Sequence, residues 1–168
     1  DGTFDELVPA RVYSVVNVDG TGYGYDSLER WAWDFDLTRD REEVFTIGRM
    51  ELYGMRAFDI KGGPPTLLVI FRPTSLTRVL KFDTDQDGIL NKSERKALEA
   101  ALKDSPTTIG PELKADNVKV WFDGKPVRIA QFNQIPEALG DGGWQVLYLL
   151  QIVRAPGLQR GVWHEVKL

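Results

Sequence analysis

The chain has 168 residues, 42% of them hydrophobic and 27% charged, and carries a formal net charge of −4. That length and balance suit a single domain able to bury a real core, and the lack of a basic patch interleaved with aromatics argues against a nucleic-acid partner. With no cysteine and one histidine, disulfides, zinc–thiolate sites, thiol catalysis and multi-imidazole metal sites are excluded, and the longest apolar runs, 67–71 and 146–150, are too short to span a bilayer as a helix.

In chain order, residues 11–18 are β-branched and aromatic and predict a strand ending in a turn at Asp19-Gly20. The stretch 19–26 is rich in glycine but lacks the Gly-Lys-Ser/Thr ending of a phosphate loop. It reads as a loop between strands whose tyrosines can line a surface. Residues 28–37 alternate, with Trp31, Trp33, Phe35 and Leu37 on one face and Asp34 and Asp36 on the other. Trp31 and Trp33 are expected in the core. Residues 46–60 and 66–72 predict two more strands, separated by the breakers Gly62, Gly63, Pro64 and Pro65.

The pattern then changes period. Residues 75–82 can form about two helical turns, with Val79 and Phe82 on one face and a hydroxyl among Thr74 and Ser75 to cap the start. Residues 92–103 are rich in Ala, Leu, Glu and Lys, with Ala97, Leu98, Ala101 and Leu102 as an apolar stripe. Asn91 and Glu94 are spaced as a capping box, and Ser105-Pro106 ends the helix.

Between these helices lies the most specific motif in the chain. Asp83, Asp85 and Asp87 alternate, Gly88 follows where the backbone must turn sharply, and Ile89, Asn91 and Glu94 fall at the remaining ligand positions. Ile89 offers its carbonyl oxygen, Asn91 binds directly or through water, and Glu94 can give both carboxylate oxygens. Such a donor set supplies the six to eight oxygens that Ca²⁺ takes, and it suits Mg²⁺ poorly. Without the ion, four crowded carboxylates repel, so the loop is expected to be mobile without calcium and ordered with it.

Residues 75–103 resemble the EF-hand family of calcium-binding proteins. The resemblance implies a helix–loop–helix inserted between strands, with Asp83, Asp85, Asp87, Ile89, Asn91 and Glu94 as calcium ligands. It departs at Arg95, where the family usually has an apolar residue. In the sensor proteins of this family the loops work in pairs, and the segment around Leu90 forms a short ladder with its twin. No twin is present here: around Asp34 and Asp36, Arg39 stands where glycine is needed and Phe45 where the last carboxylate belongs. Leu90 must therefore pack on its own domain or on another copy, which leaves a homodimer possible. A lone loop suggests a structural clip, binding weakly at roughly 10⁻⁴–10⁻³ M, the range of extracellular modules. That affinity points to an extracytoplasmic location (secreted, periplasmic or an ectodomain). The initial Asp1 fits a processed protein, a trimmed chain or an excised domain.

After the helices, residues 117–122 and 126–130 flank Asp123-Gly124-Lys125, a hairpin signal. Residues 143–153 follow an Asp-Gly-Gly turn, and 162–168 are placed to close a sheet. Trp121 is out of phase with Val120 and Phe122 and faces solvent or a second layer. The expected fold is α+β: one domain over 1–168, a mostly antiparallel β-sheet or sandwich of seven or eight strands, with the helix–loop–helix at 75–103 inserted. The order of elements, with the stretch from Phe122 through Val127, is also similar to extracytoplasmic domains of some bacterial metal-transport membrane proteins. That similarity implies a sensor or accessory domain.

No catalytic constellation emerges. His164 has no Gly-x-Ser-x-Gly partner segment and reads as a strand-edge residue. Asp34 with Asp36, and Glu42 with Glu43, are neighbours in sequence rather than a spaced glycosidase pair. The leading expectation is a non-enzymatic calcium-binding domain in which the ion braces the fold or an interaction surface, with calcium and a protein or carbohydrate as partners. The alternatives are a carbohydrate- or peptide-binding module with structural calcium, and a hydrolase with structural calcium.

Overall fold

The computed structural model describes residues 2–3, 5–60, 62–63, 65–153 and 164–168. It is β-rich, and every strand pairing is antiparallel. Strands β1 (Arg11–Val18) and β2 (Arg30–Leu37) form a two-stranded ribbon. Strands β3 (Met50–Asp59), β4 (Thr66–Ser75), β7 (Ile129–Ala138) and β8 (Trp144–Val153) form a sheet in the order β3-β4-β8-β7. Strands β5 (Val120–Phe122), β6 (Lys125–Val127) and β9 (Val166–Lys167) form a small third sheet in the order β6-β5-β9.

The core sits between the second and third sheets. Leu67, Val69 and Phe71 of β4 alternate inward, as do Val146, Tyr148, Leu150 and Ile152 of β8, and Val120 and Phe122 of β5 meet them. Phe71 stacks on Tyr148 with centroids 5.5 Å apart. Tyr148 is wholly buried, yet its hydroxyl is satisfied: it donates to the Pro111 carbonyl at 2.8 Å and accepts from the Leu113 N–H at 2.8 Å. Complete burial of each such side chain contributes about 1.5–3 kcal/mol.

Helices stand between β4 and β5. Helix α1 (Leu76–Val79) runs into a 3₁₀ turn at Leu80–Phe82, and α2 spans Lys92–Asp104. The capping box of α2 forms as its spacing implies: the Asn91 side chain accepts from the N–H groups of Ser93 (2.9 Å) and Glu94 (3.1 Å), and Glu94 accepts from the Asn91 N–H at 2.9 Å. At α1 the cap position is Ser75, but its hydroxyl makes no capping bond. The start is held by backbone instead: Ser75 N–H donates to the Ile109 carbonyl and Leu76 N–H to the Arg49 carbonyl, each at 2.9 Å.

Several expectations change. Strand β3 starts at Met50 rather than 46, and β4 continues to Ser75. Residues 117–119 are not strand, because Ala115–Asn117 form a 3₁₀ turn in which the Asn117 side chain accepts from the Lys114 N–H. Strand β7 runs eight residues beyond Ala130. Trp31 and Trp33 are half-buried and lie outside the core. Trp121 is half-buried between two buried neighbours, as its phase implies, and Trp144 is exposed. Lys61, Pro64, Val162 and Trp163 lie outside the described residues. Among those described, no helix is long and apolar enough to cross a membrane.

Candidate metal centre

The residues 83–91 link the 3₁₀ turn to α2. Asp83 is 8% exposed and directly follows the 3₁₀ turn. One of its carboxylate oxygens, Oδ2, accepts from the Gly88 N–H at 2.9 Å, and the Asp87 Oδ1 accepts from the Ile89 N–H at 2.8 Å. These bonds fold the loop back on itself. The turn requires positive φ at Gln86 (59°) and at Gly88 (83°). At Gly88 glycine is needed twice over, because a Cβ there would also lie 2.7 Å from the Tyr25 Cβ.

Asp83, Asp85 and Asp87 converge: each offers a carboxylate oxygen, and these oxygens lie within 4.8 Å of one another. The second oxygen of Asp83, Oδ1, is buried and has no hydrogen-bond partner. Desolvation, and then the neighbouring carboxylates of Asp83, Asp87 and Glu94, push the Asp85 carboxyl up. A buried anionic oxygen without a donor is costly. A hard divalent cation seated among oxygens removes that cost, so the donor set fits calcium.

Glu94 does not join this cluster. Glu94 is 4% exposed and its carboxylate is committed within the loop. Its Oε1 accepts from the Thr84 N–H at 2.6 Å and from the Thr84 hydroxyl, and its Oε2 accepts from Asn91 N–H. The Thr84 hydroxyl and the Asn91 and Thr84 N–H groups hold the Glu94 carboxyl below its ordinary value. Asn91 spends its side-chain oxygen on the α2 cap. The Ile89 side chain is 66% exposed. Glu94 thus ties the two ends of the loop together: its bond to Asn91 follows from the capping-box spacing, and its hold on Thr84 is what the spacing did not reveal.

The loop has neighbours in its own domain. Leu90 lines a cavity of about 330 Å³ with Gly24, Val79 and Leu98. Its carbonyl accepts from the Arg95 Nε at 2.8 Å, so Arg95 holds the backbone at the end of the loop. Tyr25, against Gly88, belongs to the glycine-rich turn, which Arg49 holds by donating to the Tyr25 and Asp26 carbonyls, both at 3.3 Å. The segment 19–27 therefore backs the acidic loop, through long-range contacts no local pattern could disclose.

A second group of polar side chains lies across the molecule. His164 Nδ1 and Asp123 Oδ2 are 2.7 Å apart, and the His164 ring stacks on Phe122. Asp34 and Asp36 do not form an acid pair: Asp36 accepts from the Thr38 N–H and hydroxyl, while Asp34 lies 3.4 Å from Arg56.

No family model matches this chain, and no curated protein or solved structure matches it either.

Proposed function

We propose that this chain is a calcium-binding domain of an extracytoplasmic protein, in which an EF-hand-like insertion over residues 75–103 braces the fold. The observation that carries the reading is the buried, partnerless Asp83 Oδ1 set among the converging carboxylates of Asp85 and Asp87. Asp83, Asp85 and Asp87 hold the ion, and the Ile89 carbonyl, Asn91 and Glu94 are the further donors that the motif implies. Calcium, when bound, neutralises the charge these side chains crowd together.

The bracing follows from what the loop touches. Gly88 packs on Tyr25, and Arg49 ties the Tyr25 turn to the start of β3, whose neighbour carbonyl also receives Leu76 N–H. A fixed loop therefore fixes the connection between β1 and β2. A lone loop binds weakly, and free calcium high enough to fill it is found outside the cytoplasm, which supports the location proposed.

Calorimetric titration with calcium chloride tests this on wild type, Asp83→Asn and Glu94→Gln. Wild type is expected to bind with Kd of roughly 10⁻⁴–10⁻³ M. At about 10 mM calcium that affinity stabilises the fold by about 1.4–2.7 kcal/mol, read as a higher melting temperature. Asp83→Asn should abolish both signals. Unchanged affinity in that variant, or a silent wild-type titration, defeats the proposal.

A further inference from the structure

Away from the acidic loop, a cleft of about 660 Å³ opens between β2, the segment 39–46, Asp123 and residues 164–168. One wall is aromatic. Trp31 and Trp33 stand at alternate positions of β2 with ring planes 12° apart and centroids 6.1 Å apart, and Phe35 continues the row against Phe45. Beside it runs a ladder of paired charges, whose Arg41 lies over the Phe35 ring 4.4 Å from its centroid. Arg41 bridges Glu43 and Glu165, and Lys167 bridges the same two carboxylates at 2.7 and 3.5 Å. His164 closes one end: its Nδ1 is engaged by Asp123, while its Nε2 is buried without a hydrogen-bond partner.

We propose that this cleft binds a neutral carbohydrate chain. The size is that of a ligand site rather than of a packing defect. The stacked indoles of Trp31 and Trp33 line the cleft and offer apolar surface for the C–H face of a sugar ring. The ladder is charged but balanced, since Arg41 and Lys167 meet Glu43 and Glu165, so it exerts little net pull on an anion. It instead presents alternating donors and acceptors, which suit hydroxyl groups that do both. Among the described residues that line the cleft, Arg30, Arg39, Arg41 and Lys167 are matched by Asp34, Asp36, Glu43, Asp123 and Glu165, so these residues offer a phosphate backbone no net positive field.

The same charges argue for binding rather than cleavage. Burial alone would raise the Glu43 carboxyl, but Lys167 and Arg41 more than offset it and hold it below its ordinary value. Asp123 is likewise lowered, with burial outweighed by the Glu165 N–H and His164. A general acid for glycoside cleavage needs a carboxyl raised toward neutrality.

The test is NMR titration of the whole chain, reading the tryptophan indole N–H signals, with cellohexaose, chitohexaose and mannohexaose as probes. Oligogalacturonate and oligothymidylate serve as anionic controls, and each titration is run with and without calcium. At least one neutral hexasaccharide should move the Trp31 and Trp33 signals at millimolar concentration while leaving exposed Trp144 in place. Trp33→Ala should weaken that binding about tenfold or more. Glu43→Gln, which cuts the charge ladder and spares the rings, should weaken it also, and keeps the test open if Trp33→Ala fails to fold. No shift with any neutral glycan, shifts confined to Trp144, or shifts with the anionic probes alone overturn the proposal. Because the cleft shares no residue with the acidic loop, failure of calcium binding leaves this outcome unaffected.

Discussion

The β4–β8 core and the acidic loop both withdraw side chains from water, but they do so on opposite terms. In the core, Val69, Tyr148, Leu150 and Ile152 are wholly buried, and the one polar atom among them, the Tyr148 hydroxyl, has both a donor and an acceptor. In the loop, Asp83 and Glu94 are nearly as buried. Glu94 is satisfied by Thr84 and Asn91, while Asp83 keeps one oxygen without a partner. A core stabilises by excluding water alone, whereas a buried carboxylate oxygen needs something to bring it a positive charge. The difference separates a region whose buried polar atom is satisfied from one that leaves a buried carboxylate oxygen without a partner.

The sharpest way to break the comparison is to damage each region and ask whether calcium notices. Phe71→Ala removes a ring that is 1% exposed and stacked on Tyr148. It should cost about 3–5 kcal/mol in urea denaturation, with the calcium-induced gain in stability unchanged. Gly88→Ala should cost less, about 1–3 kcal/mol, because it forces a Cβ onto positive φ and into Tyr25. It should also abolish the calcium response. If Phe71→Ala removes that response, or Gly88→Ala preserves it, the two regions are not separate devices.

Sequence made the core readable because β4 and β8 carry the two longest apolar runs, 67–71 and 146–150. Only the fold reveals which face of each is the core: burial alternates along both strands. Strand β7 was unreadable past Ala130 for a physical reason. It lies at the sheet's edge and is exposed at Gln131, Asn133, Gln134 and Pro136, so neither face carries an apolar signal, and proline is tolerated at such an edge. The tryptophans misled because a periodic apolar face looks the same whether it packs a core or lines a cleft. In the loop, the alternating aspartates and Gly88 were legible, since each needs only local geometry. The hold of Glu94 on Thr84, the Arg95 bond to Leu90 and the Tyr25 backing were not, because each depends on where the chain has already folded.

A smaller effect sharpens the loop side. Asn91 accepts two N–H groups at the start of α2. Asn91→Ala should cost about 1 kcal/mol through loss of the cap, measured by urea denaturation without calcium. If Asn91 also ligates, the calcium-bound form should lose more than the calcium-free form. Equal losses would restrict Asn91 to capping.

The smallest effects are in pH dependence, and two carboxyls at the flanks of the main sheet give opposite signs. Glu137 on β7 is bound by Arg72, and that bond, with help from Gln145 and against the effect of burial, holds its carboxyl below the ordinary value. Its stabilising contribution is present above the unfolded-state pKa and is lost as pH falls through the lower folded value. Glu51 on β3 is 3% exposed, and burial pushes its carboxyl up against the pull of the Tyr53 hydroxyl and the Glu29 N–H. Its contribution is full below the unfolded pKa and is lost as pH rises through the raised folded value. Glu137→Gln should therefore flatten the acid limb of the stability profile, by at most about 1 kcal/mol because the Arg72 pair is partly exposed. Glu51→Gln should flatten the decline on the other side and leave the acid limb alone. Urea denaturation from pH 3 to pH 8 separates them, and the same limb flattened by both variants would mean that the two edges of the sheet do not differ in this way.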